Sequence, residues 1–178
     1  MKNFVKQKLK NKINILITNP GRRVYFIEFL KKIKLPSIKI NIFCADNNQF
    51  APSININAKS LHKIIIPKVV SGRKKYLKKI LEIVKKKKID LIIPLTDYDL
   101  AILSKNIQLI KKFNECDVLL ANSRFVKICM NKILFEKFCK KNNFLSPRIY
   151  KKNELVNLKY PVIIKPIYGS ASKNISIV

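Results

Sequence analysis

Short β-branched runs alternate with stretches of helical period through the first two thirds of the chain. Residues 13–18 (INILIT) form an apolar run closed by Asn19-Pro20-Gly21, and Val24, Ile27, Leu30 and Ile33 then recur at helical spacing. The spacing predicts a strand, a turn and a helix. Residues 38–44 (IKINIFC), leading to Asp46, and 62–66 (HKIII), stopped by Pro67, predict two more strands, with a polar, irregular loop over 47–59 between them. From Gly72 to Lys88, Tyr76, Leu77, Ile80, Leu81, Ile83 and Val84 fall on one side of a helix and lysines on the other, a charged face that reads first as solvated. Residues 89–94 (IDLIIP) suit a strand buried on both faces of a parallel sheet. Helical period resumes from Tyr98 to Phe113, and 117–121 (DVLLA) predicts a fifth strand. Strands and helices in this alternation predict a doubly wound α/β domain of about 120 residues.

The pattern changes after Ala121. Ser123 is the expected N-cap of one broken helix or two consecutive helices over 124–143, which carry Phe125, Ile128, Ile133, Leu134, Phe135 and Phe138. Pro147 ends the helical stretch. A short strand is expected at Arg148–Tyr150, another at 160–165 (YPVIIK), and a last one at 175–178, with a small-residue loop between the final two. The expected organisation is one domain over 1–121 and an appended, incomplete one over 122–178.

Composition narrows the classes. With 178 residues, 48% hydrophobic and 27% charged, the chain has apolar material enough to offset chain entropy, which sets disorder aside. A formal net charge of +28 taken alone points to an anionic partner. The basic residues are nearly all Lys, however, with only Arg22, Arg23, Arg73, Arg124 and Arg148 to offer the bidentate fork of specific base readout. Specific nucleic-acid recognition is therefore not expected. Cys44, Cys116, Cys129 and Cys139 show no C-x-x-C spacing and His62 adjoins none of them, so the cysteines are expected as reduced core residues in a cytoplasmic protein. No apolar run approaches the roughly 18 residues of a membrane span.

Candidate chemistry concentrates in 165–174 (KPIYGSASKN), where a strand delivers a lysine to a loop of small residues. Backbone N–H groups of such a loop can approach phosphate oxygens while the lysine supplies a point charge. The plainer reading is a solvated turn, and the spacing of a Walker A loop is missing. The order of elements is the more specific signal: NILITNPGRRVYFIEFL, then IDLIIPLTDYDLAILSKN, then NKILFEKFCKKNNFLSPRIY, then the Lys165-Pro166 loop. Taken together, nearly the whole chain resembles the front of ATP-grasp ligases, those similar to carbamoyl phosphate synthase above all. The resemblance implies a Rossmann-like preATP-grasp domain with a parallel sheet, followed by the start of an ATP-grasp domain.

By that resemblance Lys132 and Lys165 would reach the phosphates of ATP, and Gly169, Ser170, Ala171 and Ser172 would form the glycine-rich loop that closes over them. Asn131 stands where the family usually has aspartate, and Ala171 and Asn174 where glycines are common. Asp97, after the fourth strand, is the substrate-side candidate, although an aspartate there also suits an N-cap. Arg22 and Arg23 top the first strand and would meet a phosphate or carboxylate at a helix start. Asp46 sits where dinucleotide-binding folds hold a ribose, but without a G-x-G-x-x-G loop nicotinamide binding is not expected. The family places Mg2+ on later carboxylates, and no Asp or Glu follows Glu154 here. The implied activity is the joining of a carboxylate to an amine through an acyl phosphate, with this chain inactive alone. A complementing C-terminal half, or a noncatalytic role in binding nucleotides or polyanions, are the other expectations; the former would show as an exposed apolar surface near 144–178.

Overall fold

The five apolar runs of the first 120 residues pair side by side. β1 (Lys12–Thr18), β2 (Lys39–Asp46), β3 (Leu61–Ile65), β4 (Leu91–Pro94) and β5 (Asp117–Val118) make one parallel sheet in the order β3-β2-β1-β4-β5. The computed structural model describes residues 11–56, 61–150, 152–169 and 172–178. By its internal contacts the chain divides into two units, Met1–Leu120 and Ala121–Val178.

In the first unit, alternate residues of each strand serve opposite faces, which is why the strand centres Ile15–Ile17, Ile42–Ala45 and Leu91–Ile93 are unbroken apolar runs. Leu16, Phe43, Ala45 and Ile92 pack with Tyr76, Ile80, Val84, Leu103 and Ile110 of α2 (Arg73–Lys87), α3 (Asp97–Leu103) and α4 (Ile107–Lys111). Ile15, Ile17, Ile42, Cys44 and Ile93 pack on the other face with Ile27 of α1 (Val24–Lys32) and Ile54. Each fully buried Leu, Ile, Val or Phe among them stabilises the fold by about 1.5–3 kcal/mol. Two polar residues fix where α2 stops. Buried Asn14 donates to the carbonyls of Lys87 and Lys88 at 3.0 and 2.9 Å and accepts from Asn41 at 2.7 Å. Lys88 takes the left-handed conformation that ends the helix.

Several elements differ from expectation. The helical stretch 98–113 is two short helices, because the Asn106 side chain donates to the Ile102 carbonyl and competes with the backbone ladder. The loop after β2 contains a 3-10 turn, Pro52–Ile54, whose Ser53 and Ile54 are buried. Residues 89 and 90 precede β4 rather than join it, and the Asp90 carboxylate accepts from the Asn14 backbone N–H. β5 is only two residues long.

The second unit begins with α5 (Ser123–Met130) and α6 (Lys132–Lys141), joined through Asn131. The cap of α5 is Asn122, whose side chain accepts from Phe125 N at 2.9 Å, so Ser123 is the first helical residue instead. Phe125 meets Phe138 edge to face at 5.4 Å between the helices. No strand forms at Arg148–Tyr150; the Arg148 guanidinium lies over the Tyr150 ring and pairs with Glu154. The last two predicted strands shrink to an antiparallel pair, β6 (Ile163–Ile164) and β7 (Ser176–Ile177), with backbone bonds between Val162 and Val178 beside it. Among the described residues no helix is long and apolar enough to cross a membrane.

Candidate functional site

In an open parallel sheet, side chains and loops at the carboxyl ends of the strands are free to meet a ligand, above all where the strand order reverses. Here that point lies between β1 and β4, whose ends are register partners at Thr18 and Pro94. Arg22 and Arg23 are exposed in the loop that leaves β1. Asn19 and Gly21 both have positive φ there, the backbone geometry of a tight reversal. Asp46 braces this loop from β2, accepting Gly21 N at 2.8 Å and Asn48 N at 2.9 Å. Its carboxylate is thus spent inside the protein, at 3% exposure, rather than offered to a ribose. Asp97 is exposed as the first residue of α3, but the cap is Thr96, which accepts from Asp99 N at 3.4 Å. Asp97 is therefore not the cap, and its carboxylate faces solvent.

The group that binds these loops together is Asp99, which has no solvent exposure. Its Oδ1 accepts from Asn19 Nδ2 and the Tyr76 hydroxyl, each at 2.7 Å. Its Oδ2 accepts from the hydroxyls of Thr18 and Thr96, each at 3.0 Å. Burial raises its pKa above the ordinary carboxylate value, and the four donors oppose that rise. Burial and the nearby Asp99 charge also raise the pKa of Tyr76, which keeps its hydroxyl a donor. Sequence reasoning passed Asp99 over. The Thr96-x-x-Asp99 spacing of a capping box was the available local signal, whereas the partners Thr18, Asn19 and Tyr76 lie 81, 80 and 23 residues away.

In the second unit, Asn131 caps α6 by accepting Ile133 N and Leu134 N, each at 3.0 Å. Its amide also donates to the Tyr168 hydroxyl at 2.7 Å. Lys132 N donates to the Ile167 carbonyl at 3.2 Å, and Lys132 Nζ to the Gly169 carbonyl at 3.3 Å. The fold thereby brings Lys132 to the loop after β6 across 37 residues of sequence. Lys165, just past β6, is exposed, as is Ser172, which has φ of 54°. Ser170 and Ala171 lie outside the described residues. Because the first amides of α6 are already taken, an anion here would meet ammonium groups and loop amides rather than an open helix end. That cationic donor set fits the phosphates of a nucleotide. It does not fit magnesium, and among the described residues no group of three His, Cys, Asp or Glu side chains could hold a metal ion.

Cys44, Cys116 and Cys139 are buried, as expected of core thiols, whereas Cys129 is exposed. Burial, aided by the Asp46 charge, pushes the Cys44 thiol up to about 12. The His62 ring stacks on Phe43 at 4.5 Å between centroids.

An L-amino acid ligase from Bacillus licheniformis shares this fold with a TM-score of 0.66 at 15% identity, over 95% of this chain and 39% of the ligase. The biotin carboxylase domain of the Hydrogenobacter thermophilus 2-oxoglutarate carboxylase, solved as a dimer in complex with MgADP, ADP and bicarbonate, gives 0.60 at 15% identity, over 92% of this chain and 37% of that one. At that identity the likeness is one of fold, and this chain spans about two fifths of either neighbour's length. No curated protein matches its sequence significantly. The family model of the PylC-like, N-terminal domain matches residues 15–121. Since that match covers more than half of the chain, the protein belongs to the PylC-like N-terminal-domain family, with the Rossmann-like fold that opens ATP-grasp ligases.

Proposed function

We propose that this chain provides the substrate-side domain and the first nucleotide-binding elements of an ATP-dependent ligase that joins a carboxylate to an amine. Residues 1–121 act as the preATP-grasp domain, and 122–178 as the helical linker and first part of the nucleotide-binding fold. The observation that carries the reading is the contact of Lys132 with Gly169, in the loop that follows Lys165 in sequence, in a chain whose residues 15–121 match this family. ATP would supply the phosphoryl group that turns the carboxylate into an acyl phosphate, from which the amine displaces phosphate. Lys132 and Lys165 hold phosphate oxygens, as point charges. Arg22 and Arg23 hold the anionic end of the substrate, and Asp97 a cationic one.

Mg2+ ligands are assigned to no residue of this sequence, and the 178 residues alone are proposed to bind ATP without catalysing ligation. A complementing C-terminal half is a partner compatible with this reading, and the exposure of Leu145, Ile163, Ile164 and Ile177 supports an apolar surface near 144–178. The test is ATP affinity of the full chain. Lys132→Ala and Lys165→Ala are each expected to weaken binding at least about tenfold, as loss of a charge-assisted contact does; an unchanged Kd for both sinks the assignment. The net charge of +28 favours one second reading, a polyanion-binding module. Its mark is an affinity that falls steeply with salt and does not distinguish ATP from inorganic polyphosphate.

A further inference from the structure

Three consecutive residues of the loop after β6 are tied to the two residues that open α6. The Ile167 carbonyl accepts from Lys132 N, the Tyr168 hydroxyl from Asn131 Nδ2, and the Gly169 carbonyl from Lys132 Nζ. Packing does little to hold this segment, since Ile167 is 45% and Tyr168 60% exposed. The polar ties therefore set where the loop lies. Gly169, with φ of 146°, has a backbone conformation that L side chains rarely adopt, and in it the carbonyl reaches Lys132. A carbonyl oxygen 3.3 Å from the ammonium occupies one of its three donor positions and would repel a phosphate oxygen drawn to the same ammonium.

Building on the phosphate role given to Lys132 above, we infer that the Asn131–Tyr168 hydrogen bond is a latch that seats the Gly169 carbonyl on Lys132, and that a nucleotide phosphate must displace this carbonyl to bind. Asn131 is then a positioning residue with two tasks. Its oxygen caps α6 while its amide group holds Tyr168. An aspartate at 131 keeps the cap and can accept from the tyrosine hydroxyl, so it preserves the tie with the donor reversed.

The experiment compares the full chain with Tyr168→Phe, Asn131→Ser and Asn131→Asp. Serine keeps a good helix cap but is too short to hold Tyr168, so helix loss does not confound it. Amide hydrogen exchange at Lys132, whose N–H donates to the Ile167 carbonyl, is expected to quicken about fivefold in Tyr168→Phe and Asn131→Ser, and to stay near wild type in Asn131→Asp. ATP, titrated without magnesium, should bind Tyr168→Phe about fivefold more tightly than wild type, because the latch no longer competes. Unchanged exchange in Tyr168→Phe and Asn131→Ser would overturn the latch. Faster exchange with equal or weaker ATP binding would overturn the competition. If no form binds ATP while these two variants exchange faster, the phosphate role of Lys132 is what fails, and the latch stands as a purely structural tie.

Discussion

The two units hold their apolar residues in opposite ways. Along β1 of the first, Leu16 and Ile17 have no exposure and sit on opposite faces of a five-stranded sheet, each under helices. Along β6 and β7 of the second, Ile163, Ile164 and Ile177 are 62%, 57% and 73% exposed on a sheet of two strands. Both stretches read alike in sequence, as β-branched runs. Burial needs a second layer, and two strands by themselves do not supply one. The first unit is thus held by its core, whereas the loop of the second is held by hydrogen bonds at the start of α6.

The contrast is sharpest in core truncation. Leu16→Ala is expected to lower unfolding free energy by about 2–5 kcal/mol, while Ile163→Ala should change it by no more than about 0.5 kcal/mol. Chemical denaturation of the two variants checks this, and comparable losses would show that the hairpin is covered in solution.

Next in size is the buried carboxylate. Asp99→Ala strands four donors and should cost about 3 kcal/mol; Asp99→Asn should cost far less, because the threonine hydroxyls can turn to accept from the new amide. Burial raises Asp99 above its ordinary value of 3.8, so the folded state holds the proton more tightly than the unfolded one. Its favourable contribution is therefore complete below about pH 3.8 and lost as pH climbs through the raised folded value. Wild-type stability should fall over that window relative to Asp99→Asn, and parallel pH profiles would count against the assignment.

The smallest effect is chemical. Iodoacetamide under native conditions should label Cys129 first, since Cys44, Cys116 and Cys139 are buried. Peptide mass mapping reads the order, and early labelling of Cys44 would mean that the sheet of the first unit opens locally.

Much of this fold was legible because helix and strand periods act over a few residues. The helical period from Gly72 to Lys88 marked α2, and INILIT marked β1, within a residue or two of their bounds. The cap at Asn122 was missed for Ser123 because the two are adjacent and both suit a cap, so only backbone geometry chooses between them. The strand at Arg148–Tyr150 failed for want of a partner, which no local pattern can report.

For the candidate site, sequence order alone brought Lys132, Lys165 and the Gly169 loop together by resemblance, and marked Arg22, Arg23 and Asp97 as loop residues at strand ends. Which of these side chains would be spent internally was decided by the tertiary fold. Asp46 and Asp99 became braces because β1, β2, β4 and α2 converge on them, while Asp97, two residues from Asp99, stayed in water. The physical reason is range: propensity and periodicity are set by neighbours in the chain, but the environment of a carboxylate is set by whatever the folded chain brings within hydrogen-bonding distance.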